Sequence, residues 1–160
     1  MRPSDDPGGA AWSVILKNIH VPLVGMADEL ELGDNVRGFL IAEALEELAA
    51  IVEQLGGRPH TAYGLAGLGD LVTTATSANS HHRGIGKAIA RGDLDEVSET
   101  GANVRSEGVH AVAQLRRHGL LELSDYPLLQ FVAALIDDLA DAERRLDDWT
   151  RRRFSGFRKT

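Results

Sequence analysis

A lysine and an asparagine lie inside an apolar stretch near the start of the chain. Lys17 and Asn18 interrupt the segment SVILKNIHV. A lysine in such a segment commonly extends its ammonium group to solvent along its aliphatic stem. The alternative is a desolvated lysine that acts as a general acid or base. Both interpretations stay open on these residues alone.

A second group of reactive side chains follows the glycine-rich segment GLAGLG, which begins at Gly64. Asp70 and Thr74 are four residues apart, so a helix would place them on one face. Asp70 also fits the N-cap of that helix, a purely structural role. The glycines lack the spacing of a dinucleotide-binding loop and follow no predicted strand. They predict a tight turn with close backbone packing.

Two adjacent histidines, His81 and His82, raise the question of a metal site. Neighbouring residues on a helix point about 100° apart, so the two rings cannot easily hold one ion. No acidic residue lies close by in sequence to complete a site, and the chain has no cysteine. We therefore expect no bound metal.

The elements that carry these residues are all predicted to be helices. Apolar residues recur at helical spacing, and the alternation typical of strands is absent. The clearest helix follows Gly33, with Asp34 as a candidate cap and Gly56 as a stop signal. Pro22 is expected to kink or break the first helix. Further helices are predicted at about 68–78, 85–91, 107–118 and 127–149. The expected fold class is an all-α helical bundle.

Composition limits the class of protein. The 160 residues suit one domain, with 43% hydrophobic and 26% charged residues. A net charge of -7 argues against a nucleic-acid partner. No uninterrupted apolar run predicts a membrane span, and no signal peptide is apparent, so we expect a cytoplasmic protein. The predicted division is a flexible N-terminus at 1–10, a helical domain at 11–150 and a basic flexible tail at 151–160.

Several blocks of sequence resemble one enzyme family. The blocks LKN, GDN, GLAGLGDL and SEGV occur in this order, the last beginning at Ser106. They resemble the C-terminal domain of bacterial NAD(P)-dependent glycerol-3-phosphate dehydrogenase, over about 15–134. The resemblance implies a helical bundle related to the substrate domains of 6-phosphogluconate and similar dehydrogenases.

The resemblance also implies roles for individual residues in interconverting glycerol 3-phosphate and dihydroxyacetone phosphate. Lys17 resembles the catalytic lysine that exchanges a proton with the C2 oxygen of the substrate. Asp70 matches an aspartate that positions this ammonium group. Thr74 matches a threonine that binds substrate, and Asn18 lies beside the lysine. Glu107 matches a glutamate on the nucleotide side of the cleft.

The sequence departs from this family at the residues that bind the substrate phosphate. His81 and His82 replace an Arg-Asn pair. Arginine offers phosphate a permanent charge, whereas histidine is largely neutral near pH 7, so we expect weaker phosphate binding. Arg83 is the nearest replacement, because its long side chain could reach back toward the phosphate.

The family resemblance also indicates a cofactor and a partner. Family members bind NAD or NADP mainly in an N-terminal Rossmann domain, and only about 14 residues precede the LKN region here. We expect such a domain in trans or in a longer parent chain, a small phosphorylated polyol as substrate, and a homodimer as one oligomeric state. Two alternatives are an inactive stand-alone module for binding or dimerisation, and a family member with a different substrate.

Overall fold

The computed structural model consists of helices joined by short turns, and it describes residues 5–93 and 104–156. A π-helical turn, Leu65–Gly69, leads directly into α4, and a 3-10 turn, Leu123–Asp125, precedes α7. No strand occurs in these two ranges, which confirms the all-α prediction. The helices are α1 Pro7–Glu29, α2 Asp34–Gln54, α3 Pro59–Ala62, α4 Asp70–Thr76, α5 His81–Arg91, α6 Val104–Arg117, α7 Pro127–Asp137 and α8 Ala142–Gly156.

Helix α1 is the central element, and it packs against α2, α4, α5 and α6. It begins at Pro7, inside the ten residues expected to be flexible, because Asp6 caps it by accepting a hydrogen bond from the backbone N–H of Gly9. The Asp6 carboxylate also accepts hydrogen bonds from the Thr61 hydroxyl and the Arg58 backbone N–H. These bonds, that of Thr61 foremost, lower the pKa of Asp6 to about 2.

By length and composition, α1 is also apolar enough to cross a membrane. No uninterrupted run of apolar residues in the sequence predicted this. Of its most apolar 18-residue window, however, 61% is buried inside the fold. Its largest buried side chains pack into the shared core of the bundle. A core helix of a soluble protein passes the same test of length and composition. The fully buried large residues of this helix are Leu16, Ile19, Leu23 and Met26.

The contact between α1 and α5 brings backbone against backbone. A Cβ atom at Gly86 would collide with the carbonyl oxygen of Pro22, and one at Gly25 would collide with the carbonyl oxygen of Arg83. Helix α1 runs through Pro22 without interruption, so of the predicted kink or break, the break is wrong. Close packing of α5 against the carbonyl of Pro22 supports the helix despite the lost hydrogen bond.

Helix α2 follows its predicted pattern. The apolar residues at helical spacing are buried, and Gly56 follows the helix end with a φ of +84°. Asp34, however, does not cap the helix. Gly33 holds the cap position, and Asp34 is the first helical residue, with its carboxylate paired to Arg37.

The C-terminal part contains two helices where one was predicted. The chain turns between α7 and α8, with Asp141 at a φ of +52° and the Asp138 carboxylate accepting a hydrogen bond from Ala140. Helix α8 continues past residue 150 to Gly156, so the start of the predicted basic tail is helical. The last tail residues, 157–160, lie outside the described residues, as do 1–4.

Candidate functional site

Lys17 is buried, and its ammonium group has two partners on α4. Its Nζ lies 3.0 Å from Asp70 Oδ2 and donates a hydrogen bond of 2.8 Å to Thr74 Oγ1. Only 8% of the Lys17 surface is exposed, so the alternative of a side chain extended into solvent is wrong. The Thr74 hydroxyl in turn donates to Asp70 Oδ1 at 3.2 Å. We call these three residues the Lys17 cluster.

The glycine-rich turn places the Lys17 cluster. Because the π-helical turn runs directly into α4, Asp70 continues a helix and does not cap one, so the N-cap alternative is wrong. Gly67 confirms the predicted close packing, since a Cβ there would collide with the carbonyl of Ala62. The four-residue spacing then presents Asp70 and Thr74 on one face toward Lys17, as predicted.

A second polar cluster contains Asn18, the residue that follows Lys17 on α1. Glu107, on α6, accepts a hydrogen bond of 3.4 Å from Asn18 Nδ2, and its Oε2 lies 3.5 Å from His82 Nε2. At 3.5 Å, the His82–Glu107 contact is a long ion-pair contact. Among the described residues, the buried atoms His82 Nε2 and Asn18 Oδ1 have no hydrogen-bond partner. We call these three residues the His82 cluster.

The environment of His82 disfavours its charged form. Burial lowers the pKa of the imidazole below its usual value. The nearby Glu107 carboxylate acts in the opposite direction, while Lys17 and His81 lower the pKa further. His82 is therefore mainly neutral at pH 7.

The structure does not bring Arg83 into either cluster. Its Nε donates a 2.7 Å hydrogen bond to Asp28 Oδ2, and Nη1 donates to the carbonyl of Ser77 at 3.4 Å. Asp28 Oδ1 also accepts a hydrogen bond from Arg37. His81 is exposed at the start of α5.

Asp28 is the residue of this region that sequence reasoning missed. Its side chain is 11% exposed and holds Arg83 at the start of α5. In the sequence it stands beside Glu29 near a helix end, where acidic residues are ordinarily solvated. Nothing in its spacing signals a partner 55 residues away.

An apolar cavity of about 80 Å³ adjoins the His82 cluster. Asn18 and His82 are its polar lining residues, and the other walls come from α1, α5, α6, α7 and the turn after α7. Among residues 5–93 and 104–156, no three His, Asp or Glu side chains group closely enough to hold a metal ion.

The arrangement fits proton transfer better than cofactor binding. A buried ammonium group held by a carboxylate and a hydroxyl can exchange a proton with a substrate oxygen. A Rossmann-type dinucleotide site is built on a strand, a turn and a helix, and the described part of the chain contains no strand.

Comparisons with known proteins agree on one kind of enzyme. The family model described as NAD-dependent glycerol-3-phosphate dehydrogenase C-terminus matches residues 6–147. A glycerol-3-phosphate dehydrogenase [NAD(P)+] of Deinococcus radiodurans is 38% identical over 136 residues, and one of Paracidovorax citrulli is 39% identical over 141. These alignments cover 81% and 87% of this chain.

A solved structure supports the same relationship. The crystal structure of glycerol-3-phosphate dehydrogenase from Coxiella burnetii superposes with a TM-score of 0.77 at 30% identity, over 91% of this chain and 45% of that one. The chain likewise spans only 38% and 41% of the Deinococcus and Paracidovorax relatives. The similarity therefore concerns less than half of each longer enzyme.

Proposed function

Because this chain belongs to the family of C-terminal domains of NAD-dependent glycerol-3-phosphate dehydrogenases, we propose that it is the substrate-binding half of such an oxidoreductase. Together with a Rossmann domain, it would interconvert glycerol 3-phosphate and dihydroxyacetone phosphate. The cofactor, NAD or NADP, would supply or accept the hydride. The residues of this chain would bind the polyol and move the proton at its C2 oxygen.

The Lys17 cluster is the observation that carries this proposal. The Lys17 ammonium group has Asp70 3.0 Å away as its counter-ion and Thr74 at 2.8 Å as a hydrogen-bond acceptor. An ammonium group fixed at two points can protonate a developing alkoxide without first reorganising. In the reverse direction, the neutral amine would accept the hydroxyl proton. Thr74 would then share its hydroxyl between Lys17 and the substrate.

The phosphate end of the substrate would lie toward the start of α5. His81 and His82 are the first two residues of α5. Asn18, which belongs to the same cluster as His82, directly follows Lys17 on α1. Arg83 would contact phosphate only after leaving Asp28, to which it donates a 2.7 Å hydrogen bond. We therefore assign phosphate contact to the two histidines first and keep Arg83 as a secondary candidate.

An exposed apolar surface beside Lys17 suits the docking of a Rossmann domain. Val14 and Ile15 precede Lys17 by three and two residues on α1 and are 42% and 41% exposed. Leu65, in the turn that leads to Asp70, is 87% exposed. Exposed apolar groups around a polar site are typical of an interface. Glu107 would lie at the cofactor side of this interface, where the family resemblance places it.

The decisive experiment joins this chain to the Rossmann part of the Deinococcus radiodurans relative. The fusion should oxidise NADH or NADPH with dihydroxyacetone phosphate. Lys17→Ala should reduce kcat by about 10²- to 10⁴-fold, the usual contribution of general acid-base catalysis. Lys87→Ala is the matched control, because Lys87 on α5 pairs with Glu29 at the end of α1 and belongs to neither cluster.

A turnover of Lys17→Ala equal to that of Lys87→Ala would contradict the assignment. If the fusion does not fold, NMR titration of the isolated chain with glycerol 3-phosphate provides the second measurement. Resonances of Lys17 and Thr74 should shift in the wild type. If the chain does not bind glycerol 3-phosphate, the result would instead support the alternative of an inactive stand-alone module.

We further propose that the protein works in the cytoplasm and forms a homodimer through this domain. The burial of α1 within the helical bundle supports a soluble domain. The molar mass of the isolated chain, measured by light scattering, tests the dimer. A mass near 17.3 kDa at micromolar concentration would contradict it.

A further inference from the structure

The His82 cluster contains two buried polar atoms that lack a partner. Asn18 and His82 both contact Glu107, yet Asn18 Oδ1 and His82 Nε2 have no hydrogen-bond partner within residues 5–93 and 104–156. Buried polar atoms in folded proteins are nearly always bonded, so each exception requires an explanation. The two unpaired atoms belong to residues that line one cavity. A small movement of either side chain would allow a ligand to supply the missing hydrogen bonds.

The charges around this cluster do not favour an anion in the present arrangement. Lys17, on α1, is neutralised by Asp70 on α4, and Glu107 on α6 adds a negative charge. On α5 itself, His81 precedes His82, and the guanidinium of Arg83 is paired with Asp28. The His82 imidazole is therefore the group of this cluster that can add a positive charge.

We propose that His82 is a specificity-determining residue that exchanges Glu107 for the anionic end of the substrate, so that substrate affinity depends on pH. This inference rests on the proposed function, because it concerns the same site. The 3.5 Å distance between His82 Nε2 and Glu107 Oε2 makes the exchange feasible by a small movement of either side chain. The Glu107 side chain is 60% exposed and can turn toward solvent.

The direction of the pH dependence follows from the two forms of the imidazole. The imidazolium attracts an anion and donates a strong hydrogen bond, whereas neutral imidazole offers at most one ordinary donor. Burial holds the pKa of His82 below its usual value, so binding is strongest at acidic pH. Above that pKa the imidazolium fraction falls about tenfold per pH unit, and the affinity should follow it.

The experiment uses sulfate as the probe, because its charge does not change between pH 5 and 8. The dissociation constant of sulfate from the wild-type chain is measured by calorimetry across this range. We expect it to rise by at least tenfold from the lowest to the highest pH. In parallel, NMR follows the imidazole resonances of His82, whose pKa should rise when sulfate is bound, since an anion favours the imidazolium.

His118 provides the internal control. It lies directly after α6 and is exposed, 3.0 Å from the Gln114 side chain, and its imidazole resonances should not change when sulfate is added. His82→Asn should bind sulfate with an affinity that is constant over the range. Glu107→Gln should bind sulfate several-fold more tightly than the wild type while keeping the pH dependence. His118→Asn should match the wild type.

Three results would overturn the inference: no sulfate binding at pH 5, an undiminished pH dependence in His82→Asn, or a His82 pKa that sulfate does not move. The NMR measurement decides the question even if His82→Asn does not fold. Because none of these measurements needs turnover, they separate this inference from the proposed function. An inactive fusion with an intact sulfate response would contradict the dehydrogenase assignment alone.

Discussion

The Lys17 cluster and the His82 cluster each include one residue of α1, and they differ in how completely their polar groups are hydrogen-bonded. In the Lys17 cluster, the ammonium group contacts both other members, which are also bonded to each other. In the His82 cluster, one carboxylate receives a single long hydrogen bond, and two buried atoms remain unpaired. The first cluster is organised before any ligand arrives. The second leaves two buried polar atoms without a hydrogen-bond partner among the described residues.

The two clusters also differ in how closely they follow the family. All three residues of the Lys17 cluster match the family resemblance. In the His82 cluster, Asn18 and Glu107 match it as well, but His82 is one of the two histidines that replace the Arg-Asn pair. A fully paired cluster is expected of groups that carry out the chemical step, because catalysis benefits from fixed geometry. Incomplete pairing is expected of groups that choose the ligand.

After the loss of Lys17 itself, the largest effect is expected from Asp70→Asn in the fusion with a Rossmann domain. The substitution keeps the shape of the side chain but removes the counter-ion of Lys17 and should reduce kcat by roughly 10- to 100-fold. Steady-state kinetics provides the measurement. Asp137→Asn is the control, because Asp137 pairs with Arg116 on the surface. Equal kcat values for the two variants would mean that the pairing in the Lys17 cluster does not serve the reaction.

A smaller effect, on stability, is expected from Gly86→Ala. The new methyl group would collide with the Pro22 carbonyl and separate α1 from α5, at a cost of about 1–3 kcal/mol in the free energy of unfolding. Gly84→Ala, two residues away on α5, meets no atom within 4 Å and should be stabilising by about 0.5–1 kcal/mol. Urea denaturation measures both variants. Gly86→Ala should disturb both clusters, and an unchanged stability would show that the helix contact is loose.

The smallest effect is expected from restoring the family pair with His81→Arg and His82→Asn together. A permanent guanidinium should lower the dissociation constant of glycerol 3-phosphate by about tenfold at pH 7.5, as a charged hydrogen bond does. Calorimetry on the isolated chain provides the measurement. The gain should shrink at pH 5.5, where the wild-type imidazole is more often charged. An unchanged affinity at both values would favour a substrate without phosphate.

Local pattern predicted the elements well where one periodicity dominates. Helix α2 shows this most clearly, because its apolar spacing and the following Gly56 define both its buried face and its end. The break between α7 and α8 could not be predicted, since it depends on Asp141 adopting a positive φ. The continuity of α1 through Pro22 depends on packing against α5, which no local pattern records.

The candidate site also contains some contacts that the sequence predicted and others that it did not. The spacing of Asp70 and Thr74 predicted a shared face, and the family resemblance joined that face to Lys17, 57 residues away from Thr74. The pairing of Arg83 with Asp28 was not predictable, because both are charged residues of types that ordinarily lie on the solvent-exposed surface. Long-range pairs of charged groups depend on the tertiary fold, and neither local spacing nor propensity encodes them.

The direct backbone contact between α1 and α5 determines how far apart the two clusters lie. Lys17 and Asn18 belong to one helix and His82 to the other, and no layer of side chains separates the two helices at Gly25 and Gly86. A change of rotamer therefore cannot alter the helix spacing, as it can where large side chains interdigitate. A molecule that reaches both clusters must have a matching length. The two glycines thus fix the spacing between the helix that carries Lys17 and Asn18 and the helix that carries His82.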